Sequence, residues 1–149
     1  MNEEVINIKN KFDNKIVEFY EKSKKRYYIT IEKDDLLDFV DYIFNELGFR
    51  YMIETGIDTP GGIEILYHFS FDSRETVVTL KTLLDSKEPV VESISSIVPG
   101  AKWIEREIMD ILGVKFLNHP NPEKFILSDD WNEKEYPLRR DYDEKKNNN

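Results

Sequence analysis

The chain has 149 residues, which suits one compact domain, and 40% of them are hydrophobic and 13% aromatic, enough to build a core. A net charge of -9 argues against a non-specific nucleic-acid binder and against docking on an anionic membrane surface. With no cysteine and only two histidines, thiolate nucleophiles, disulfides, iron–sulfur ligation and thiolate zinc sites are excluded, and a transition-metal site is disfavoured.

No apolar run approaches the ~20 residues of a membrane span. The N-terminus, MNEEVINIKN, is acidic and amphipathic and lacks a signal-peptide pattern. The expectation is a soluble, cytoplasmic chain that meets a membrane only through partner subunits.

Residues Glu3 to Lys24 predict a first helix, with Val5, Ile8, Phe12, Ile16, Phe19 and Tyr20 on one face. Arg26 to Ile31 is short and β-rich, a strand. Asp34 or Asp35 caps a second helix, Leu36 to Leu47, which Gly48 stops. Strands follow over Phe49–Ile57, Gly62–Phe71 and Thr76–Leu84. Asp58-Thr-Pro-Gly-Gly62 opens a strand and not a helix, so it reads as a hairpin turn rather than a phosphate loop.

Pro89 to Pro99 is a connector with a helical turn over Val91–Ile97, and Pro99-Gly100 opens a third helix, Trp103–Gly113. A short strand-like run follows it. The expected fold class is α/β (α+β): a two-layer sandwich with a mainly antiparallel four-stranded sheet and helices on one face. The expected division is an α/β domain over 1–117, an irregular extended partner-docking tail over 118–142, and a disordered tail over 143–149.

The third helix carries the densest charge cluster, Glu105-Arg106-Glu107 with Asp110. At 3.6 residues per turn, Trp103, Ile104, Ile108, Ile111, Leu112 and Val114 share an arc, and Glu107 falls inside it. Glu105 and Met109 fall on the other side. A carboxylate on an apolar stripe needs a partner or takes up a proton. One reading makes Glu107 a general acid with His119 as relay. The other is a structural network, with Arg106 paired to Asp110 and Glu107 paired to an arginine of the tail, while His119 organises its loop. Trp131, after Asp129-Asp130, reads as an anchor of the kind found at interfaces. Arg139 and Arg140, in Tyr136-Pro-Leu-Arg-Arg-Asp141-Tyr142, suit bidentate carboxylate pairing and read as glue to Glu107, Asp110 or a second chain.

Glu105-Arg106-Glu107-x-x-Asp110-x-x-Gly113-Val114-x-Phe116-x-x-His119-Pro120 resembles the signature of the 30 kDa subunit family of the respiratory NADH:quinone oxidoreductase. Relatives of that subunit occur in energy-converting membrane-bound [NiFe] hydrogenases. Asp129-Asp130-Trp131 and Pro137-Leu138-Arg139-Arg140-Asp141-Tyr142 resemble two further family segments, and Pro99 and Trp103 fit the run before the signature. There are departures. Asn118 stands where the family usually has Gly, Asn121-Pro122-Glu123-Lys124 replaces an Asp-Leu-Arg-Arg run, and Ser128 stands where Pro is common.

The resemblance implies a hydrophilic connecting subunit on the cytoplasmic side of the membrane, with no catalytic, cofactor-binding or metal-binding residue of its own. Its partners would be the large catalytic subunit and neighbouring iron–sulfur subunits. The short chain without a fused domain points to the [NiFe] hydrogenase branch, with a complex I-like quinone oxidoreductase as the alternative. A stand-alone acid–base enzyme using Glu107 and His119, and a free cytoplasmic adaptor, are the rival readings. The expected interaction residues are Glu105, Arg106, Glu107, Asp110, His119, Trp131, Arg139, Arg140, Asp141 and Tyr142.

Overall fold

The computed structural model describes residues 1–121 and Arg139. The expectations for Trp131, Arg140, Asp141 and Tyr142, and for the tail over 143–149, lie outside the described residues.

The first helix is shorter than its periodicity predicts. Helix α1 spans Glu3–Lys11, with the Asn2 side chain accepting from the Val5 N–H at 3.1 Å as an N-cap. Asp13–Lys15 makes a tight turn, and Ile16–Ser23 is a strand, β1. The expected helix over Glu3–Lys24 is therefore corrected to a helix, a turn and an edge strand. Of the residues in β1 only Ile16 and Phe19 are even partly buried, so the strand shows no alternation that would set it apart from the helix before it.

Strand β2 (Arg26–Ile31) follows, then α2 (Leu36–Asp41), which runs on into a π-helical turn over Tyr42–Glu46. Three long strands come next: β3 (Arg50–Thr59), β4 (Gly62–Phe71) and β5 (Thr76–Leu84). The sheet has five strands in the order β1-β2-β5-β4-β3. The β3-β4-β5 meander is antiparallel, as is the β1-β2 hairpin. The seam between them is parallel, pairing Arg26 with Val77 through Thr30 with Lys81. The result is the expected α+β class, with one strand more in the main sheet than predicted.

Alternation along the strands sets the two faces. Tyr27, Ile29 and Ile31 of β2, Ile63, Ile65, Tyr67 and Phe69 of β4, and Val78 and Leu80 of β5 are buried on one face. Helix α1 with its C-cap Phe12, and α2 with the π-helical turn after it, supply Val5, Ile8, Phe12, Leu36, Phe39, Val40 and Ile43 to the same core. Phe12 stacks on Phe39 with ring centroids 4.0 Å apart, which ties the two helices together. Each large apolar side chain so buried contributes about 1.5–3 kcal/mol.

The remaining element is a small β-α-β unit. Strands β6 (Val90–Glu92) and β7 (Lys115–Leu117) pair in parallel, and α3 (Ala101–Leu112) connects them. The helical turn expected over Val91–Ile97 is confined to Ile94–Val98, where the Val98 N–H donates to Ile94 O at 2.8 Å. Gly113, at φ 75°, ends α3 with its N–H on Met109 O. Helix α3 crosses β3 at Gly56, where a Cβ would lie 2.5 Å from Leu112 Cδ1. A larger residue there would force the Leu112 side chain, and to a lesser degree that of Ile108, to shift.

Candidate functional site

The signature residues fall on α3 and on the loop after β7. The buried stripe of α3 is Ala101, Glu105, Ile108 and Leu112, spaced i, i+4, i+7 and i+11. The carboxylate inside the apolar stripe is thus Glu105. Glu107, expected there, is half-buried beside β3. The helix is rotated relative to the sequence expectation, and Trp103 is 48% exposed. Apolar residues lie on both sides of this helix, so the wheel alone did not fix which arc faces inward.

Glu105 is fully buried and has two donors. Ser93 Oγ donates to Oε1 at 2.5 Å, and the Ile94 backbone N–H donates to Oε2 at 2.9 Å. Ser95 Oγ lies 2.7 Å from Ser93 Oγ. Because the Ser93 proton is directed to Glu105, the Ser95 hydroxyl is the donor in that contact. Burial pushes the Glu105 carboxyl up to about 7, against the pull of the Ser93 and Ile94 hydrogen bonds. The turn after β6 supplies these donors, and it exists because Val90–Glu92 is a strand. Ser93 was not singled out in the sequence, since the segment read as one helical turn.

His119 lies close to the same carboxylate, with Nε2 3.9 Å from Glu105 Oε1. Its hydrogen bonds define its role. The Asn121 N–H donates to Nδ1 at 3.0 Å, so Nδ1 holds a lone pair. Nε2 is then the protonated nitrogen and donates to Lys102 O at 2.9 Å. In this tautomer the ring is neutral and makes no ion pair with Glu105. It clamps the loop after β7 to the first turn of α3. The residue before it, Asn118, has φ 62°, a left-handed conformation that Gly and Asn tolerate. That conformation accounts for Asn where the family usually has Gly. The Asn118 side chain also reaches both Glu92 carboxylate oxygens, at 2.9 and 3.1 Å.

Arg139 returns to the other end of α3. Its guanidinium donates to Leu112 O at 3.1 Å and to Ser86 O. Leu112 O belongs to the last turn of the helix, where a cation offsets the negative end of the helix dipole. The tail arginine therefore reaches the expected helix at a carbonyl of its C-terminus. Arg106 and Asp110 are both buried on the flank of α3, and the Arg106 guanidinium sits 5.6 Å from the Trp103 ring centroid.

A second buried carboxylate, Glu54 of β3, was not identified from the sequence. It stands opposite Tyr67 of β4 on the inner face. Tyr51 OH donates to its Oε1 at 3.2 Å, while Oε2 is buried without a hydrogen-bond partner among the described residues, as are Tyr67 OH and Thr82 Oγ1. Burial first, and then the charge of Glu105, hold the Glu54 carboxyl well above the usual range, so the protonated acid is favoured. The same two carboxylates, after burial, raise the Tyr67 phenol. No side-chain pattern in Glu54-Thr-Gly56 reports its inward register, which the pairing of β3 with β4 sets. Among the described residues no group of three His, Asp or Glu is placed to hold a metal ion, and no described helix is long and apolar enough to cross a membrane.

Residues 29–148 match the family model described as respiratory-chain NADH dehydrogenase, 30 Kd subunit. The chain is 32% identical over 136 residues to a subunit of the F(420)H(2) dehydrogenase of Methanosarcina mazei, covering 89% of this chain and 85% of that protein. It is 26% identical over 145 residues to a subunit of the NADH-quinone oxidoreductase of Citrifermentans bemidjiense, covering 95% and 88%. Its fold is similar to a chain of a membrane-bound sulfane sulfur reductase, an archaeal respiratory membrane complex, with a TM-score of 0.82 and 27% identity over 93% of this chain and 83% of the other. The chain belongs to the family of the respiratory-chain NADH dehydrogenase 30 Kd subunit, whose members are subunits of complex I-like oxidoreductases.

Proposed function

We infer that this chain is a non-catalytic connecting subunit of a membrane-bound, energy-converting oxidoreductase, and that it docks on the large catalytic subunit. One observation carries the reading. The signature residues are committed to holding α3 in place: Glu105 binds the turn after β6, His119 binds the first turn of α3, and Arg139 binds its last. Both His119 ring nitrogens are engaged by backbone groups, Lys102 O and the Asn121 N–H, which argues against an acid–base pair with Glu107. Arg106, Glu107 and Asp110 remain on the flanks of α3 as the groups for a helix–tail–partner network.

The finer assignment concerns the complex. The sequence reading favours the [NiFe] hydrogenase branch, in which the large subunit carries nickel and iron. The NADH-quinone oxidoreductase relative, 26% identical over 145 residues, supports a quinone-type branch as the second reading. In both readings the chain is peripheral, on the cytoplasmic side of the membrane, beside iron–sulfur subunits.

The test is affinity purification of the tagged chain from mild-detergent extracts of its own cells, with metal analysis and mass spectrometry of the eluate. A large subunit with antiporter-like membrane subunits is expected. Nickel in that eluate assigns the hydrogenase branch, and the same subunits without nickel assign the quinone branch. A chain that elutes alone overturns the connecting-subunit reading.

A further inference from the structure

Strand β3 is an edge strand, and α3 lies against it. Between them runs a groove with a cavity volume of about 240 Å³. Its apolar walls include Ile53 of β3 and Ile104 and Ile111 of α3, and two carboxylates, Glu54 and Glu107, line it as well. Ile53 is 46% exposed, and Met52 and Ile57 of the same strand are exposed as well, so β3 leaves apolar surface uncovered along this edge. The volume falls below the ~300–1,000 Å³ of a typical small-molecule pocket. It suits one or two side chains of a protein segment.

We propose that this groove receives an apolar segment bearing a lysine or arginine, supplied by a neighbouring subunit of the complex, with Glu54 and Glu107 as the acceptors of its cation. The proposal rests on the connecting-subunit reading. Three features point to that occupant. Glu54 is buried and lines the groove, and its Oε2 has no hydrogen-bond partner among the described residues. A buried acceptor left unmade is costly, and an incoming N–H donor relieves it. Two acidic groups in one apolar groove select a cationic side chain over a neutral or anionic one. The chain itself has a net charge of -9, which favours a basic partner surface. In the isolated chain Glu54 favours its protonated form, and a cation at Oε2 stabilises the carboxylate instead.

The experiment uses the tagged chain expressed in its own cells, with wild type compared against the double variant Glu54→Gln and Glu107→Gln. Glutamine keeps the shape of the protonated acid, so the melting temperature of the isolated double variant is expected to match or exceed that of wild type. Co-purification of the neighbouring subunits is expected to weaken roughly thirtyfold, the loss typical of removing one side of a buried charged pair. If the double variant does not fold, the single Glu107→Gln chain, altered at a half-buried position, gives the readout. Wild-type and variant chains that retain the same subunits equally well overturn the groove proposal and leave the connecting role intact. A wild-type chain that retains no subunit overturns the connecting role itself.

Discussion

Replacing Glu105 by Gln should flatten the pH dependence of stability. Glu105 ionises near 4.5 in an unfolded chain and near 7 when folded, because burial disfavours its charge. Its folded value is the higher one, so its contribution is fully present below pH 4.5 and is lost as pH rises through about 7. At about 1.4 kcal/mol for each pH unit between the two ionisations, the loss amounts to about 3 kcal/mol by pH 8. A Gln side chain stays neutral. Its carbonyl accepts the Ile94 N–H, and its amide donates to Ser93 Oγ, whose hydroxyl turns towards Ser95. Thermal unfolding of both chains between pH 4 and pH 8 reads the difference. For a domain of this size about 3 kcal/mol corresponds to a relative shift in Tm of about 6–12 °C. Glu54 titrates in both chains, and its upward displacement depends partly on the Glu105 charge, so the variant flattens further. Parallel curves for the two chains would refute the assignment of Glu105 as the buried, destabilised carboxylate.

Two further perturbations test the frame around α3. Gly56→Val places a branched side chain against Leu112 and Ile108 at the point of closest approach and should cost about 1–3 kcal/mol of overpacking, read as a lower urea midpoint; an unchanged midpoint would mean that α3 is free to move away from β3. Arg139→Ala removes the donors to Leu112 O and Ser86 O and should cost about 1–3 kcal/mol in the same assay, with Arg139→Lys recovering part of it. Loss without any recovery by Lys would assign the effect to the fork geometry of the guanidinium rather than to its charge.

The elements that the sequence made legible are those with unambiguous punctuation. Gly48, Pro60-Gly61-Gly62 and Gly113 sit at the ends of the π-helical turn after α2, of β3 and of α3, and the boundaries read from them agree with the structure to within a few residues. Strand β1 was hidden because Ile16–Ser23 is a sparsely buried edge strand, and an edge strand lacks the alternating burial that would betray it. Asp13-Asn14, a turn-forming pair, was the available break in the helix.

The site was legible as a group of residues and only partly as geometry. Glu105, Arg106, Glu107, Asp110, His119 and Arg139 do meet around α3. The assignment of the buried carboxylate to Glu107 failed because the donors that select Glu105, Ser93 Oγ and the Ile94 N–H, come from a backbone turn that no side-chain pattern reports. Glu54 escaped because its partner strand, and hence its inward register, is a tertiary fact.

The parallel seam between β2 and β5 bears on how the chain reaches this fold. Every other pairing in the main sheet is local: β1 with β2 across a tight turn, β3 with β4 and β4 with β5 across short connections. The seam joins residues 26–30 to residues 77–81, with α2 and two strands in between. Its closure carries the largest loop entropy of any step in building the sheet, and such non-local contacts slow folding. During synthesis the backbone edge of β2, with its unpaired N–H and C=O groups, therefore waits until β5 has emerged. The β1-β2 hairpin is the part of this protein most exposed to mispairing, and the meander arrives as its protector.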